Sequence, residues 1–161
     1  MTAKLTFEDV QGLYQKHGAA LLAYGISLLG DRASAEDVLH QVFLKLLGMR
    51  DLPREARPYL FKAVRNRALN ARRSGARMAS LEDQEWLLKP EGMVEAGLEV
   101  ERALQELPAE QREVVVMRIW GEMTFEEVAA VLGVSINTAA SRYRYALGRL
   151  REHLQYFEVS K

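Results

Sequence analysis

Arg54, Arg57, Lys62, Arg65, Arg67, Arg72, Arg73 and Arg77 crowd one short stretch of the chain, and only Glu55 opposes them. Cations at that density grip a polyanion through its phosphates. A solvated basic helix face has the same composition, so charge alone leaves both readings open. A second set lies nearer the C-terminus: Ser135, Asn137, Thr138, Ser141, Arg142 and Arg144. Short polar groups at the start of a helix reach base edges, and arginines further along reach phosphates. Catalytic sets are missing. The sequence holds no cysteine, no glycine-rich phosphate loop and only three scattered histidines, His17, His40 and His153. A binding protein without metal or cofactor is therefore expected rather than an enzyme.

The net charge of zero hides a division along the chain. Residues 1–77 carry 13 Lys and Arg against 7 Asp and Glu, residues 78–113 carry 3 against 10, and the remainder carries 6 against 5. The basic excess thus sits in the N-terminal half, where the first arginine set lies.

The elements that would hold these residues read as helices. Thr124-Phe-Glu-Glu127 has the form of a capping box, and Val128, Val131 and Leu132 give the following helix an apolar face. Gly133 supplies a turn and Ser135 caps a second helix with Ala139, Tyr143, Ala146 and Leu150 inward. Helix, glycine turn and capped helix make a helix-turn-helix, a motif that an ordinary helical hairpin with a polar face can imitate. Before it, Ala103, Leu104 and Leu107 mark one helix, and Pro108 opens another that runs to Gly121.

In the N-terminal half, Phe7, Val10, Leu13 and Tyr14, and then Leu21, Leu22, Ile26 and Leu29, recur at helical spacing, with Gly18 and Gly30 as punctuation. Ser34 to Asp37 is read as the cap of a third helix with Val38, Val42, Phe43, Leu46 and Leu47 as its stripe. Two prolines put a loop near residues 51–58, and a helix follows from Tyr59 to about Arg73 with its arginines outward. Residues 76–95 lack a period, are rich in acids, and have Trp86 as their one large anchor, which reads as a flexible acidic linker. The fold expected is all-α: two small helical bundles, residues 1–75 and 96–161, on that linker. No apolar run approaches the ~20 residues of a membrane span, and the N-terminus lacks a signal peptide's basic start and apolar core, so a cytoplasmic protein without membrane insertion is expected.

The run from Ala103 to Arg151 resembles the C-terminal domain of extracytoplasmic-function sigma factors. The residues that carry the likeness are Leu107 with Pro108, Gln111 to Glu113, Glu126 to Ala129, Gly133 to Ser135, and Ser141 with Arg142. GDRASAEDVLHQVFLKLL, from Gly30 to Leu47, is similar to the family's polymerase-docking helix. PYLFKAVRNRALNARR, from Pro58 to Arg73, is similar to its helix that opens and reads the minus-ten promoter element. Four positions depart from the usual pattern: His40-Gln41 replaces a glutamine and an acid, Ala140 a common lysine, and Asn70 a common aspartate.

The resemblance implies core RNA polymerase, promoter DNA and an anti-sigma factor as partners. It implies polymerase docking through Asp37, Gln41 and Leu44, while Phe43 and Leu47 on the same helix read as core. It implies minus-ten contacts from Arg65, Asn66, Asn70, Arg72 and Arg73, with a flipped base received near Asn66. Minus-thirty-five contacts would come from Ser135, Asn137, Thr138, Ser141, Arg142 and Arg144. A stand-alone helix-turn-helix regulator would leave the N-terminal arginine helix unexplained, and a helical adaptor would leave both polar sets unused.

Overall fold

The computed structural model describes residues 4–52, 55–74 and 102–159, with side chains described through residue 154. Within them lie α1 (Phe7–Leu29), α2 (Arg32–Leu46), α3 (Ala56–Arg73), α4 (Ala109–Ile119), α5 (Phe125–Leu132) and α6 (Ile136–Val159). A short helical segment, residues 102–106, precedes α4. No strand occurs among the described residues, as the helical periodicity predicts. The expected linker with Trp86, and the expected start of the second bundle near Ala96, lie outside the described residues.

Thr6 and Asp9 close a reciprocal capping box at the start of α1, and Gly30 ends it at φ 85°, a left-handed conformation that glycine adopts without a Cβ clash. Gly18 does not interrupt the helix as its punctuation implied. It is buried with the Tyr14 ring at ordinary contact distance, and packing outweighs its modest cost in a helix interior. Every residue from Leu21 to Gly30 is buried, because α1 meets α2, α3 and α4 around its C-terminal half. A helix apolar all round is a central helix. Gly25 lets α2 approach, since a Cβ there would come within 3.2 Å of the Ala35 Cβ.

The cap of α2 is Asp31, whose carboxylate accepts from the Ser34 N–H, so the helix starts earlier than the box read at Ser34 to Asp37. Likewise α3 begins at Ala56 rather than Tyr59: Pro58 falls in the first turn, where a missing N–H costs nothing. In the C-terminal half, Thr124 and Glu127 form the expected capping box of α5, and Gly133 takes φ 70° at the turn. Ala139 and Ala146 are fully buried where α6 packs on α4 and α5.

The two bundles close on one another, α1 against α4 and α3 against α5, and their buried side chains form one continuous core. At the seam, the Phe61 ring of α3 packs against that of Tyr24 of α1, tilted at 42° with centroids 5.3 Å apart, and both are fully buried. A Cβ on Gly121 would sit 3.0 Å from the tip of the Phe61 ring and 2.5 Å from the Met117 carbonyl oxygen. Only glycine permits so close an approach.

Candidate nucleic-acid interface

Between α2 and α3 lies a groove of about 480 Å³ lined by Val42, Lys45, Tyr59, Lys62, Ala63, Asn66, Arg67 and Asn70. Residues 59, 62, 63, 66 and 70 share a face of α3 by their three- and four-residue spacing. Asn66 and Asn70, both exposed, therefore share that face and line the groove. The groove also takes in residues outside the expected minus-ten contact set. The half-buried Tyr59 ring lines the groove with its hydroxyl 3.4 Å from the Met49 sulfur, and Lys45 and Lys62 bring ammonium groups to it. Arg67 donates to the Gln41 side-chain oxygen at 3.0 Å, tying α3 to α2 across the groove. A planar ring, two amides and three cations can take a displaced base and its phosphates. The findable signal was the spacing of Tyr59, Lys62, Asn66 and Asn70; aromatics at that spacing are more often core, which hid it.

The α3 arginines divide between faces. Arg72 and Arg73 are exposed in the last turn, as expected of outward side chains. Arg65 is not outward. It turns to the seam, where its Nε donates to Glu113 Oε1 at 2.9 Å with its side chain only 26% exposed. Burial works against its charge, but Glu113 outweighs burial and holds the guanidinium more firmly protonated than usual.

In the helix-turn-helix, Ser135 Oγ accepts from the Thr138 N–H at 3.0 Å, so both hydroxyls serve first as the cap of α6. Asn137 and Arg144 are exposed, Ser141 is half-buried, and Arg142 leans toward Glu110 at 3.8 Å. Ile136 and Tyr145 are large exposed apolar groups on the same helix, which the polar pattern had not singled out. Arg118 holds the preceding corner: its guanidinium lies 4.3 Å above the Phe125 ring, 5.4 Å from that of Tyr143, and donates to the Met123 carbonyl.

On α2, Asp37, Gln41 and Leu44 are all exposed, Leu44 by 66%, while Phe43 is buried and Leu47 half-buried. Leu44 borders an apolar groove of about 380 Å³ that also takes in Phe7, Tyr14 and Phe43. Among the described residues no group of histidines and acids could hold a metal ion, and no helix is long and apolar enough to cross a membrane.

Two family models match the chain: sigma-70 region 2 over residues 13–78 and sigma-70 region 4 over residues 97–150. Among curated relatives, the ECF RNA polymerase sigma factor SigL of Mycobacterium tuberculosis is 31% identical over 94% of this chain and 92% of its own length. The RNA polymerase sigma-E factor of Streptomyces avermitilis is 35% identical over 84% of this chain and 79% of its own. Among solved structures, the sigma factor RpoE of Bartonella quintana, determined in complex with the anti-sigma factor NepR, shares the fold at a TM-score of 0.70. It is 24% identical and is matched over 92% of this chain and 98% of that one. The chain therefore belongs to the extracytoplasmic-function sigma factors, which direct RNA polymerase to initiate transcription.

Proposed function

We propose that this sigma factor binds core RNA polymerase in the cytoplasm and reads a promoter with two surfaces, the α2–α3 groove at the minus-ten element and the start of α6 at the minus-thirty-five element. The observation that carries the reading is the convergence of Tyr59, Asn66 and Asn70 with Lys45, Lys62 and Arg67 around one groove. Such a groove suits a single strand whose base has left the stack. Asn66 and Asn70 meet the base, and Arg72 and Arg73 follow the backbone. Arg65 joins them once its guanidinium is released from Glu113.

At the other end, Asn137 reads a base edge and Arg144 a phosphate, with Ser141 and Arg142 beside them and Ser135 and Thr138 setting the helix start. Asp37, Gln41 and Leu44 are the docking contacts on α2. Residues 1–75 and 96–161 act as the two recognition units and 76–95 as their tether, which raises the effective concentration of the second contact once the first is made. An anti-sigma factor completes the partners, as for the fold neighbour captured with one.

The test is co-purification with core RNA polymerase followed by transcription from a library of random promoters. Start sites preceded by two spaced elements are expected. Failure to bind core, with no inhibitory partner present, would overturn the reading in favour of a stand-alone DNA binder.

A further inference from the structure

Glu113 of α4 is buried in the seam, and the two side chains that donate hydrogen bonds to its carboxylate come from the opposite bundle. The Tyr24 hydroxyl of α1 donates to Oε1 at 2.7 Å, and Arg65 Nε of α3 donates to the same oxygen at 2.9 Å. Burial first, and the Glu113 charge second, keep the Tyr24 phenol protonated well above its usual range, so it remains a donor at neutral pH. Two further bonds cross the seam. Arg57 Nη1 donates to the Glu122 carbonyl at 2.9 Å, and Arg112 reaches the Ser27 carbonyl at 3.4 Å. Glu122 has φ 52°, an uncommon conformation for a residue with a Cβ, and the carbonyl so turned is the one that Arg57 holds. These contacts are directional and specify one closed arrangement of the bundles, which apolar packing alone does not do.

The closed arrangement has a consequence for recognition. Arg65 lies within the basic run of α3, yet its guanidinium is already bound to a carboxylate that stands where a phosphate would otherwise compete. We propose that Glu113 is an internal anionic latch: it keeps the free chain closed by holding Tyr24 and Arg65, and Arg65 reaches promoter DNA only when the seam opens. The promoter half of this proposal rests on the reading of α3 as a DNA-contacting helix; the latch itself does not.

The chain contains no cysteine, so two can be introduced for fluorescent labels without removing any. Ala19→Cys on α1 and Ala130→Cys on α5 are exposed and lie in opposite bundles. Single-molecule energy transfer between dyes at these sites reads the closed population in the full-length chain. Glu113→Gln should move at least a third of the molecules to low transfer. Arg65→Glu should do the same, and the exchange Arg65→Glu with Glu113→Arg should restore high transfer, which a general loss of folding would not do.

With core polymerase added, Glu113→Gln should form promoter complexes several-fold faster than the parent. A transfer distribution unchanged by Glu113→Gln overturns the latch, and so does a charge exchange that fails to restore closure while circular dichroism shows full helix content. An opened variant that engages promoter no faster overturns the inhibitory role. A parent chain that never initiates with core overturns the promoter half together with the functional reading, while the transfer distribution still decides the latch.

Discussion

Replacing Tyr24 by phenylalanine removes one oxygen and leaves the carbon framework of the seam as it is. The ring keeps its place 5.3 Å from Phe61, and Glu113 keeps Arg65. What is lost is a 2.7 Å hydrogen bond from a fully buried phenol to a carboxylate whose side chain is 12% exposed. A hydrogen bond to a charged group contributes about 1.5–3 kcal/mol, more than a neutral pair. For a chain of this size that corresponds to a fall in Tm of roughly 4–10 °C.

Urea and thermal unfolding followed by circular dichroism would measure it. A pH series adds a second signature. The folded Tyr24 holds its proton above the ordinary tyrosine range, so its contribution is fully present below about pH 10 and is lost as pH rises further toward the folded value. Tyr24→Phe should abolish that alkaline loss. A destabilisation below about 0.5 kcal/mol, the scale of an ordinary surface change, would refute the claim that this bond joins the bundles.

Phe61→Ala should cost about 3–5 kcal/mol, and because its ring belongs to a core shared by both bundles, the two should lose stability together in one calorimetric transition. His17 is buried, and burial first, then the charges of Arg57 and Lys16, hold its imidazole below the usual range. Stability should therefore be full above about pH 6.5 and fall as the solution is acidified, and His17→Gln should flatten that acid limb in a denaturation series. Asn137→Ala should relax sequence preference at one minus-thirty-five position, whereas Arg144→Ala should weaken all sequences alike and reduce the salt slope by about 1, both read by DNA titration of the polymerase complex.

Local signals in the sequence carried over to the structure where their cause was local. The Thr124–Glu127 box, the Gly133 turn and the Ser135 cap each act within four residues, and all three stand where their residue types put them. Gly18 differs from its sequence reading because packing decides it, and the start of α2 differs because Asp31 offers an equally local cap three residues earlier. The rings and aliphatic groups around α1 carry the helix through Gly18, and Gly30 ends α1 so that Asp31, not Ser34, becomes the cap.

The candidate site was legible in its amides, Asn66 and Asn70, and much less so in its cations. Adjacent residues of a helix point about 100° apart, so Asn66 faces the groove while Arg65 faces the seam. Nothing near Arg65 in the chain announces a partner: Glu113 is 48 positions away. Tyr59 shows the opposite: an aromatic at helical spacing is most often core, yet the fold makes it a wall of the groove.

In the proposed reading, the α2–α3 groove holds a base drawn out of the promoter duplex. With core polymerase and a promoter recovered from the library, 2-aminopurine placed at each minus-ten position in turn reports unstacking by its fluorescence. A rise is expected at one position with the parent chain, lost in Asn66→Ala and in Tyr59→Ala while polymerase binding is retained. A rise that survives both substitutions unchanged would contradict it.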